Sequence, residues 1–352
     1  MRPSTNSETG FSPAKVRLHG GPDAQGAARY DFSTNSNACG PCPQALAAVQ
    51  AADATRYPDA SYTALRAALA DFHGVDVGRV VLAGSASEFI FRITAWARQQ
   101  GARTVHLPPH AYGDYAHAAQ AWGLQAAVPD ANAANLVWAC EPSSPLGQSH
   151  ADWPDAVLDE ASPDTSMGKA PLLVLDRAYA PLRLEGSDSV GAAQMGRVWQ
   201  LFSPNKALGL TGVRAAYALA PLGAEQAVAQ MDTLAPSWVL GAHGVALLMA
   251  WTQAATQDWL QASLQTLRVW KQQQVQGLQG LGWHCLPSDT PFFCARPPMG
   301  LDAAGLCATL REQGIKLRDA TSFGLPGWVR LAVLPPAALE ALQSVLAERM
   351  SA

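Results

Sequence analysis

Charged residues are scarce in this chain of 352 residues: only 15% are Asp, Glu, Lys or Arg, whereas 49% are hydrophobic. The formal net charge of −4 leaves no basic face for a polyanion, which argues against nucleic acid and anionic membrane surfaces as partners. The sequence also lacks an apolar run of about 20 residues, the length that a membrane span needs. Because its first residues lack the apolar core of a secretory signal, the cytoplasm is the expected location.

Cysteine is sparse as well. Six cysteines in so long a chain lack the density of a disulfide-stapled secreted domain, so reduced thiols are expected. The segment from Cys39 to Cys42 has the spacing of a redox pair, but it lies in a Pro-rich loop rather than after the strand of a redox fold. The histidines show no spacing typical of metal ligands, and no metal is predicted.

The distribution of apolar residues predicts an α/β protein. Residues 1–44 are polar and rich in Gly, Pro, Ser and Asn, which indicates an arm long enough to lie across a neighbouring subunit. Over residues 45–240, helical patterns alternate with short apolar runs, which predicts a large domain whose mostly parallel sheet is covered by helices. A connecting helix over 241–280 and a small C-terminal α/β domain over 281–352 complete the expected architecture. The candidate strands of the large domain are RTVHL, LVWAC, PLLVLD, VWQLFS and VRAAYAL.

One lysine follows an apolar run in the segment SPNKALGLTGVR, which extends from Ser203 to Arg214. If Lys206 is desolvated there, it loses its proton more easily and can form an imine with an aldehyde. Ser203 and Arg214 could hold a phosphate group nearby. Taken alone, the segment is equally compatible with a surface lysine in a turn that contains glycine.

Asp176 and Tyr179 close the candidate strand PLLVLD, at the carboxyl edge of the sheet, where ligands of such folds bind. A carboxylate against a pyridine nitrogen keeps that nitrogen protonated and makes the ring an electron sink, while a phenol can bond the ring's oxygen. The structural alternative is an N-cap aspartate followed by a packed tyrosine.

Two further segments carry groups of the same kind. Small residues from Gly84 to Ser87 open a helix, where free N–H groups and the helix dipole suit a phosphate, although an ordinary serine N-cap would look the same. Tyr112 offers a face that could stack on a cofactor ring, or it could simply pack in the core.

In order and spacing, these segments resemble the fold type I pyridoxal-phosphate enzymes of the class I/II aminotransferase family, over essentially the whole chain. The likeness is greatest to the histidinol-phosphate aminotransferases and the threonine-phosphate decarboxylases. It implies that pyridoxal 5'-phosphate is the cofactor, bound to Lys206 as a Schiff base, with Asp176 at the ring nitrogen and Tyr179 at the phenolic oxygen. Tyr112 would stack on the ring. The implied ligands of the cofactor phosphate are Ala86, Ser87, Ser203 and Arg214, together with Tyr57 from the second subunit of a homodimer.

The chain departs from the family pattern near the cofactor. Ser144 stands where the family has an asparagine that bonds the phenolic oxygen. A serine can still donate a hydrogen bond, so an altered ring electronic balance is expected rather than lost binding. Asn205 replaces a usual serine or threonine beside the lysine, and Pro291 falls near the Ala-Asn-Phe strand of the family.

The arm bears on the choice of reaction. His19-Gly-Gly, followed by the segment from Asp31 to Asn37, resembles the threonine-phosphate decarboxylases. The preferred reaction is therefore decarboxylation of O-phospho-L-threonine to an aminopropanol phosphate, as in cobalamin biosynthesis. The resemblance implies a substrate site made of His19 and Arg318 for the phosphate, Asn35 or Asn37 for another oxygen, and Arg330 for a carboxylate.

Each of these assignments has an alternative. His-Gly-Gly could be a mobile turn, and Arg318 could form an ordinary ion pair with Asp319. An aminotransferase acting on a phosphorylated or otherwise polar amine is the second prediction for the function. A ligand-binding protein without catalytic activity is a remote third, against which the presence of Lys206 and its associated side chains argues.

Overall fold

The computed structural model describes residues 19–126, 130–158 and 171–350, so the predicted arm is described from its nineteenth residue onward. The helices are α1 Pro43–Gln50, α2 Thr63–His73, α3 Ala86–Gln99, α4 Gly113–Ala121, α5 Asp155–Leu158, α6 Ala192–Met195, α7 Glu225–Thr233, α8 Ala242–Trp251, α9 Ala254–Gly280, α10 Ala303–Glu312 and α11 Pro336–Met350. The strands are β1 Tyr30–Asp31, β2 Val80–Ala83, β3 Thr104–His106, β4 Gln125–Ala126, β5 Leu136–Cys140, β6 Leu172–Asp176, β7 Trp199–Phe202, β8 Ala216–Leu219, β9 His284–Cys285, β10 Phe292–Arg296, β11 Ile315–Lys316, β12 Arg318–Asp319 and β13 Val329–Ala332.

The largest of the three described sheets has the strand order β2-β8-β7-β6-β5-β3-β4, and β1 and β11 form a separate two-stranded sheet. Strands β7, β6, β5, β3 and β4 pair in parallel, whereas β8 is antiparallel to both of its neighbours. Every residue of β5 is buried, as expected for a parallel strand covered on both faces. The predicted α/β fold with a mostly parallel sheet is therefore confirmed.

The polarity of these strands brings the predicted chemical segments to one edge of the sheet. The carboxyl ends of β3, β5, β6 and β7 share that edge because these strands are parallel. Strand β8 is antiparallel to both β7 and β2, so β2 runs in the same direction as β7. The carboxyl end of β2 and the amino end of β8 therefore lie at the same edge. Residues that follow β2, β3, β5, β6 and β7, or that precede β8, can therefore converge on one site.

A second sheet, β12-β13-β10-β9, is antiparallel. The described part of the arm packs beside it on its own chain, because Tyr30 of β1 pairs in parallel with Ile315 of β11. Phe32 is fully buried, and its carbonyl accepts a hydrogen bond of 2.8 Å from the Ala332 N–H. Farther along the arm, the Asn37 N–H donates to the carbonyl of Lys206 at 2.9 Å, so the arm connects the two sheets.

The connecting helix differs from the sequence prediction. Residues 241–280 form two helices, α8 and α9, because the chain leaves the helical conformation at Gln253, whose φ and ψ are −80° and 137°. Helix α1 begins at Pro43, two residues before the predicted start of the helical pattern. Along the chain, the strands of the seven-stranded sheet precede α8 and those of the antiparallel sheet follow α9, whereas the domain boundaries themselves stay predictions.

All six cysteines lie among the described residues and are free thiols. Cys42 is fully buried at the start of α1, whereas a redox pair requires an accessible sulfur.

Among the described residues, no helix combines the length and the hydropathy required to cross a bilayer.

Candidate active site

Asp176 is the last residue of β6 and lies at the middle of the shared edge. Its side chain is 5% exposed. Oδ2 accepts a hydrogen bond of 2.7 Å from the Tyr115 hydroxyl, and Oδ1 accepts one of 2.9 Å from the Ala178 N–H. Burial raises the pKa of Asp176, and the two donors together with the charge of Lys206 oppose that rise. A buried carboxyl group stabilised in this way is suited to hold a protonated ring nitrogen.

Lys206 lies in the turn that follows β7. Its amine is 5.2 Å from the centroid of the Tyr179 ring, and it has no hydrogen-bond or ion-pair partner among the described residues. Tyr179 is 8% exposed, and its hydroxyl accepts a hydrogen bond of 3.4 Å from Asn35 Nδ2. The half-buried amine is thus available to bond an aldehyde carbon.

The start of α3 offers backbone donors. Ser85 caps the helix by accepting from the Glu88 N–H at 3.0 Å, and the Glu88 carboxylate accepts from the Gly84 N–H at 3.1 Å. The N–H groups of Ala86 and Ser87 have no intrahelical acceptor because of their position in the first turn. The Ser87 hydroxyl is 3.2 Å from the hydroxyl of Tyr112. Ala86, Ser87 and Tyr112 therefore form one group.

Arg214 is exposed and lies two residues before β8, and among the described residues it has no acidic partner. Because Ala83 of β2 pairs with Ala216 of β8, Arg214 and the start of α3 share the same part of the edge. Ser203 is 6% exposed, and its hydroxyl donates to Asn205 Oδ1 at 2.9 Å. The four predicted phosphate ligands thus come from three neighbouring strands.

Asn205, which replaces the usual serine or threonine, stabilises the lysine segment internally. Its Nδ2 donates to the carbonyls of Thr211 and Val213 at 3.3 and 3.4 Å. This side chain therefore fixes the turn between Lys206 and Arg214.

Ser144 follows β5 and contacts Arg330 of β13. Its hydroxyl accepts a hydrogen bond of 3.3 Å from Arg330 Nη1, while Nη2 donates to the Ser33 carbonyl at 2.7 Å. Arg330 is 6% exposed, its Nε has no hydrogen-bond partner among the described residues, and burial lowers its pKa. A buried guanidinium without a carboxylate partner among the described residues is chemically suited to an anion.

Arg318 lies beside Arg330, because the two residues are paired across β12 and β13. Both guanidinium groups lie against Phe323, at 4.9 Å from the ring centroid for Arg318 and 5.5 Å for Arg330. Arg318 donates to the Asp319 carbonyl at 2.6 Å and to the Ser322 hydroxyl at 2.7 Å. Burial, and then the charge of Arg330, lower the pKa of Arg318. The pair concentrates positive charge in a small volume.

The first described residues of the arm lie against Tyr112 and Ser33. The exposed ring of His19 lies 6.0 Å from the ring of Tyr112, measured between centroids. Gly20 fits only as glycine, because a Cβ atom there would lie 2.0 Å from the Ser33 carbonyl oxygen. His-Gly-Gly therefore packs against the residue whose carbonyl binds Arg330.

The two arm asparagines differ in their surroundings. Asn35 is 4% exposed, and its Oδ1 has no hydrogen-bond partner among the described residues. Asn37 Nδ2 donates to the Ala207 carbonyl and the Ser263 hydroxyl at 3.0 and 2.7 Å, and its Oδ1 accepts from the Cys39 N–H. Of the two, Asn35 is the one with an oxygen left for a ligand.

Tyr57 lies on the surface of the single chain and is 76% exposed. It stacks on Trp238 with 4.3 Å between the ring centroids, and the Trp238 N–H donates to the Pro58 carbonyl at 3.1 Å. Its predicted contact with a cofactor in a second subunit stays a prediction.

Sequence reasoning did not single out Tyr115, the residue that bonds Asp176. The available signal was its position three residues after Tyr112, the N-cap of α4, which brings the two ring centroids to 5.8 Å from each other. Among the described residues there is no group of three or more His, Cys, Asp or Glu side chains that could hold a metal ion.

Residues 28–346 of the chain match the family model for aminotransferase class I and II. The chain belongs to this family. It is 30% identical to a histidinol-phosphate aminotransferase 2 of Pseudomonas fluorescens strain Pf0-1, covering 92% of this chain and 91% of that protein. It is 28% identical to the histidinol-phosphate aminotransferase of Roseobacter denitrificans, covering 87% of this chain and 86% of that protein.

Two solved structures share the fold of this class I/II family member. The histidinol-phosphate aminotransferase of Sinorhizobium meliloti, in complex with pyridoxal-5'-phosphate, gives a TM-score of 0.76 at 23% identity, covering 99% of this chain and 100% of that one. The L-threonine-O-3-phosphate decarboxylase of Porphyromonas gingivalis gives a TM-score of 0.72 at 21% identity, covering 91% and 99%. At these identities the likeness concerns the fold alone.

Family membership confirms pyridoxal 5'-phosphate as the cofactor, and the residues of the site fit it. The edge of the sheet offers a buried carboxyl group at Asp176, an amine without a partner among the described residues at Lys206, and free N–H groups at the start of α3. The Asn35 oxygen is a buried acceptor that a ligand could satisfy.

Proposed function

We propose that this enzyme transfers an amino group between a phosphorylated or otherwise polar amine and a keto acid, in the manner of a histidinol-phosphate aminotransferase. The observation that carries the proposal is the buried Arg330 guanidinium, which lies with Arg318 against Phe323 and has no carboxylate partner among the described residues. Amino transfer requires one site to accept two anionic substrates in turn. An arginine can form paired hydrogen bonds with either a phosphate or a carboxylate.

The names of the similar relatives support amino transfer over the decarboxylation that the sequence favoured. Several relatives that align with most of this chain are histidinol-phosphate aminotransferases. The proposed substrate class follows from the substrate for which those relatives are named and from Arg318 and Arg330, which lie side by side.

We assign the cofactor contacts as follows. When bound, pyridoxal phosphate supplies an aldehyde for the substrate amine and a ring that accepts the electrons of the broken bond. Asp176 would hold the ring nitrogen, Tyr179 the ring oxygen, and Tyr112 a face of the ring. Ser144, which bonds Arg330, would act on the substrate side. The proposed phosphate ligands are Ala86, Ser87, Ser203 and Arg214, with Tyr57 from the second subunit of a homodimer.

Lys206 has two proposed tasks. Its amine would hold the cofactor before substrate binds, and after displacement it would take the proton from the substrate α-carbon. The absence of a described hydrogen-bond partner leaves the amine free for both tasks. Asn35, which contacts Tyr179 and retains an unbonded oxygen, would position a polar group of the substrate.

Decarboxylation of O-phospho-L-threonine is the second candidate, because His19 lies over Tyr112 and its two glycines pack against Ser33. This arrangement would offer the His19 imidazole, beside Tyr112, as a donor for a substrate phosphate. The bond that breaks is the one held perpendicular to the cofactor ring, so the posture of the substrate decides between the two reactions.

A pair of assays on the purified, cofactor-loaded enzyme distinguishes amino transfer from decarboxylation. With histidinol phosphate and 2-oxoglutarate, the proposal expects glutamate to form. With O-phospho-L-threonine and no keto acid, it expects neither carbon dioxide nor an aminopropanol phosphate. Release of both from phosphothreonine, without glutamate in the first assay, would replace amino transfer by decarboxylation. Failure of the first assay with histidinol phosphate and with other phosphorylated amines would overturn the proposed substrate class.

A further inference from the structure

Tyr115 is a fully buried tyrosine whose hydroxyl lies beside Asp176 and the Cys140 thiol. Its ring stacks on Trp138, with 4.5 Å between the centroids and 10° between the planes. Its hydroxyl donates to Asp176 Oδ2 at 2.7 Å. Because the Tyr115 ring is stacked on Trp138, the direction in which its hydroxyl points toward Asp176 is fixed.

We propose that Tyr115 is a positioning residue, which keeps Asp176 ionised and oriented toward the nitrogen of the cofactor ring. The inference rests on the proposed role of Asp176. It adds a residue that does not itself touch the cofactor and that acts through the carboxylate.

The surroundings of Asp176 show why a donor is needed. The side chain is almost fully buried, and burial disfavours a charged carboxylate. Each oxygen receives one donor from the protein, Tyr115 on Oδ2 and the Ala178 N–H on Oδ1. A carboxylate oxygen can accept more than one hydrogen bond, so acceptor capacity remains for a ring N–H. Without Tyr115, Oδ2 would lose its only donor among the described residues.

Tyr115 also provides a donor that does not change with pH. Burial, followed by the charge of Asp176, raises its pKa well above the ordinary value, so its hydroxyl keeps its proton. Burial likewise raises the pKa values of the neighbouring Cys140 thiol and Tyr112 phenol. Lys206 is the remaining titratable group that acts on Asp176. An imidazole in place of Tyr115 would titrate near neutral pH, whereas this phenol cannot.

The test compares two tyrosines that are both fully buried. Tyr115→Phe removes the hydroxyl and keeps the stacked ring. Tyr217→Phe is the matched control, because its hydroxyl bonds Trp251 and His73 and is not bonded to Asp176. Each protein is stripped of cofactor and titrated with pyridoxal 5'-phosphate, and the visible absorbance of the lysine-bound cofactor is followed.

We expect Tyr115→Phe to raise the Kd for pyridoxal phosphate about tenfold, the effect of one lost hydrogen bond to a charged group. The ratio to wild type should be larger at about pH 6 than at about pH 8, because a carboxylate without its donor protonates more readily as the pH falls. Visible absorbance should persist at saturation, since Lys206 is intact. Equal Kd values in the two Phe variants, or a ratio that does not change with pH, would overturn the inference.

Asp176→Asn distinguishes this inference from the proposed function. If Tyr115 acts through Asp176, adding Tyr115→Phe to Asp176→Asn should weaken cofactor binding no further, whereas additive losses would overturn the inference. If Asp176→Asn alone leaves the Kd unchanged, the proposed role of Asp176 fails. Should Tyr115→Phe not fold, 3-fluorotyrosine placed at position 115 keeps the ring and strengthens the donor. Cofactor affinity should then decline at a lower pH than in wild type, and an unchanged or higher pH of decline would refute the role.

Discussion

Lys206 combines partial burial with an amine that lacks a polar partner among the described residues, beside the ring of Tyr179. Lys206→Ala should therefore abolish the visible absorbance of the cofactor-loaded protein, because no other amine would bond the aldehyde at this site. The absorbance spectrum after dialysis gives the result. Lys316→Ala is the control, since that lysine is paired with Asp23 at the surface. A yellow Lys206→Ala protein would refute the assignment.

Substitution of Arg330 tests the proposed anion site, which consists of Arg330 and the neighbouring Arg318. Arg330→Lys keeps the charge but loses the planar fork that matches a phosphate or carboxylate, so kcat/KM for the phosphorylated substrate should fall by about 10-fold to 100-fold. The measurement is steady-state kinetics with the substrate identified in the paired assays. Arg296→Lys serves as the control, because Arg296 is exposed and lies over the ring of Trp328. A similar change in both variants would show that the loss does not arise in the anion site.

The sequence located most candidate side chains of the site but not the contacts between them. Lys206, Asp176 and Tyr179 could be predicted because each follows an apolar run, and the ends of parallel strands meet. The bond from Tyr115 to Asp176 joins residues 61 positions apart, and the spacing of Tyr112 and Tyr115 does not show which group the Tyr115 hydroxyl contacts. Asn35 and Asn37 looked equivalent in the sequence, because only tertiary packing reveals which amide is already bonded.

At the level of elements, short apolar runs were easier to interpret than helix ends. The run LVWAC became β5 with the same residues, because five apolar residues between polar segments suit a buried strand. The division between α8 and α9 could not be predicted. Thr252 and Gln253 are neither proline nor glycine, and the apolar pattern continues past them.

His73 at the end of α2 should make the fold sensitive to acid. Burial, and then the charge of Arg177, lower its pKa from 6.5 to about 4. The folded state therefore binds fewer protons than the unfolded chain between these values, so stability is lost as the pH falls from about 6.5 toward 4. His73→Gln removes this titration while keeping a polar partner for Tyr217.

Urea unfolding of the two proteins at about pH 7 and about pH 4 measures the effect. Wild type should lose about 3 kcal/mol more unfolding free energy than His73→Gln over this interval. Equal losses would mean that His73 titrates normally in the fold.

Gly20 determines how the arm lies on the second sheet. A Cβ atom at this position would overlap the Ser33 carbonyl, so Gly20→Ala should displace the arm and disturb the hydrogen bond from Arg330 to Ser33. We expect a rise in KM of several-fold, about 1 kcal/mol of lost substrate binding, with little change in thermal stability. Gly280→Ala, where an added Cβ meets no atom within 4 Å, should leave KM unchanged. Equal KM values for the two variants would contradict this role of the arm.

At the scale of the whole molecule, the exposed stack of Tyr57 on Trp238 bears on assembly. If Tyr57 serves the site of a second subunit, mixing inactive Tyr57→Ala and Lys206→Ala proteins should restore activity, because hybrid dimers contain one intact site. Random exchange predicts about a quarter of wild-type activity, as half of the dimers are hybrids with one working site of two. The mixture is assayed after subunit exchange. Activity no higher than the sum of the separate variants would show that each chain completes its own site.

The pairing of Tyr30 with Ile315 also constrains the order of folding. The arm is the first described part to leave the ribosome, and its partner strand is among the last, so this contact has an extreme sequence separation. The large sheet can form before Arg330 has been translated, but the hydrogen bond from Arg330 to the Ser33 carbonyl of the arm cannot. The arm therefore stays without these partners until the segment from β11 to β13 has been synthesised.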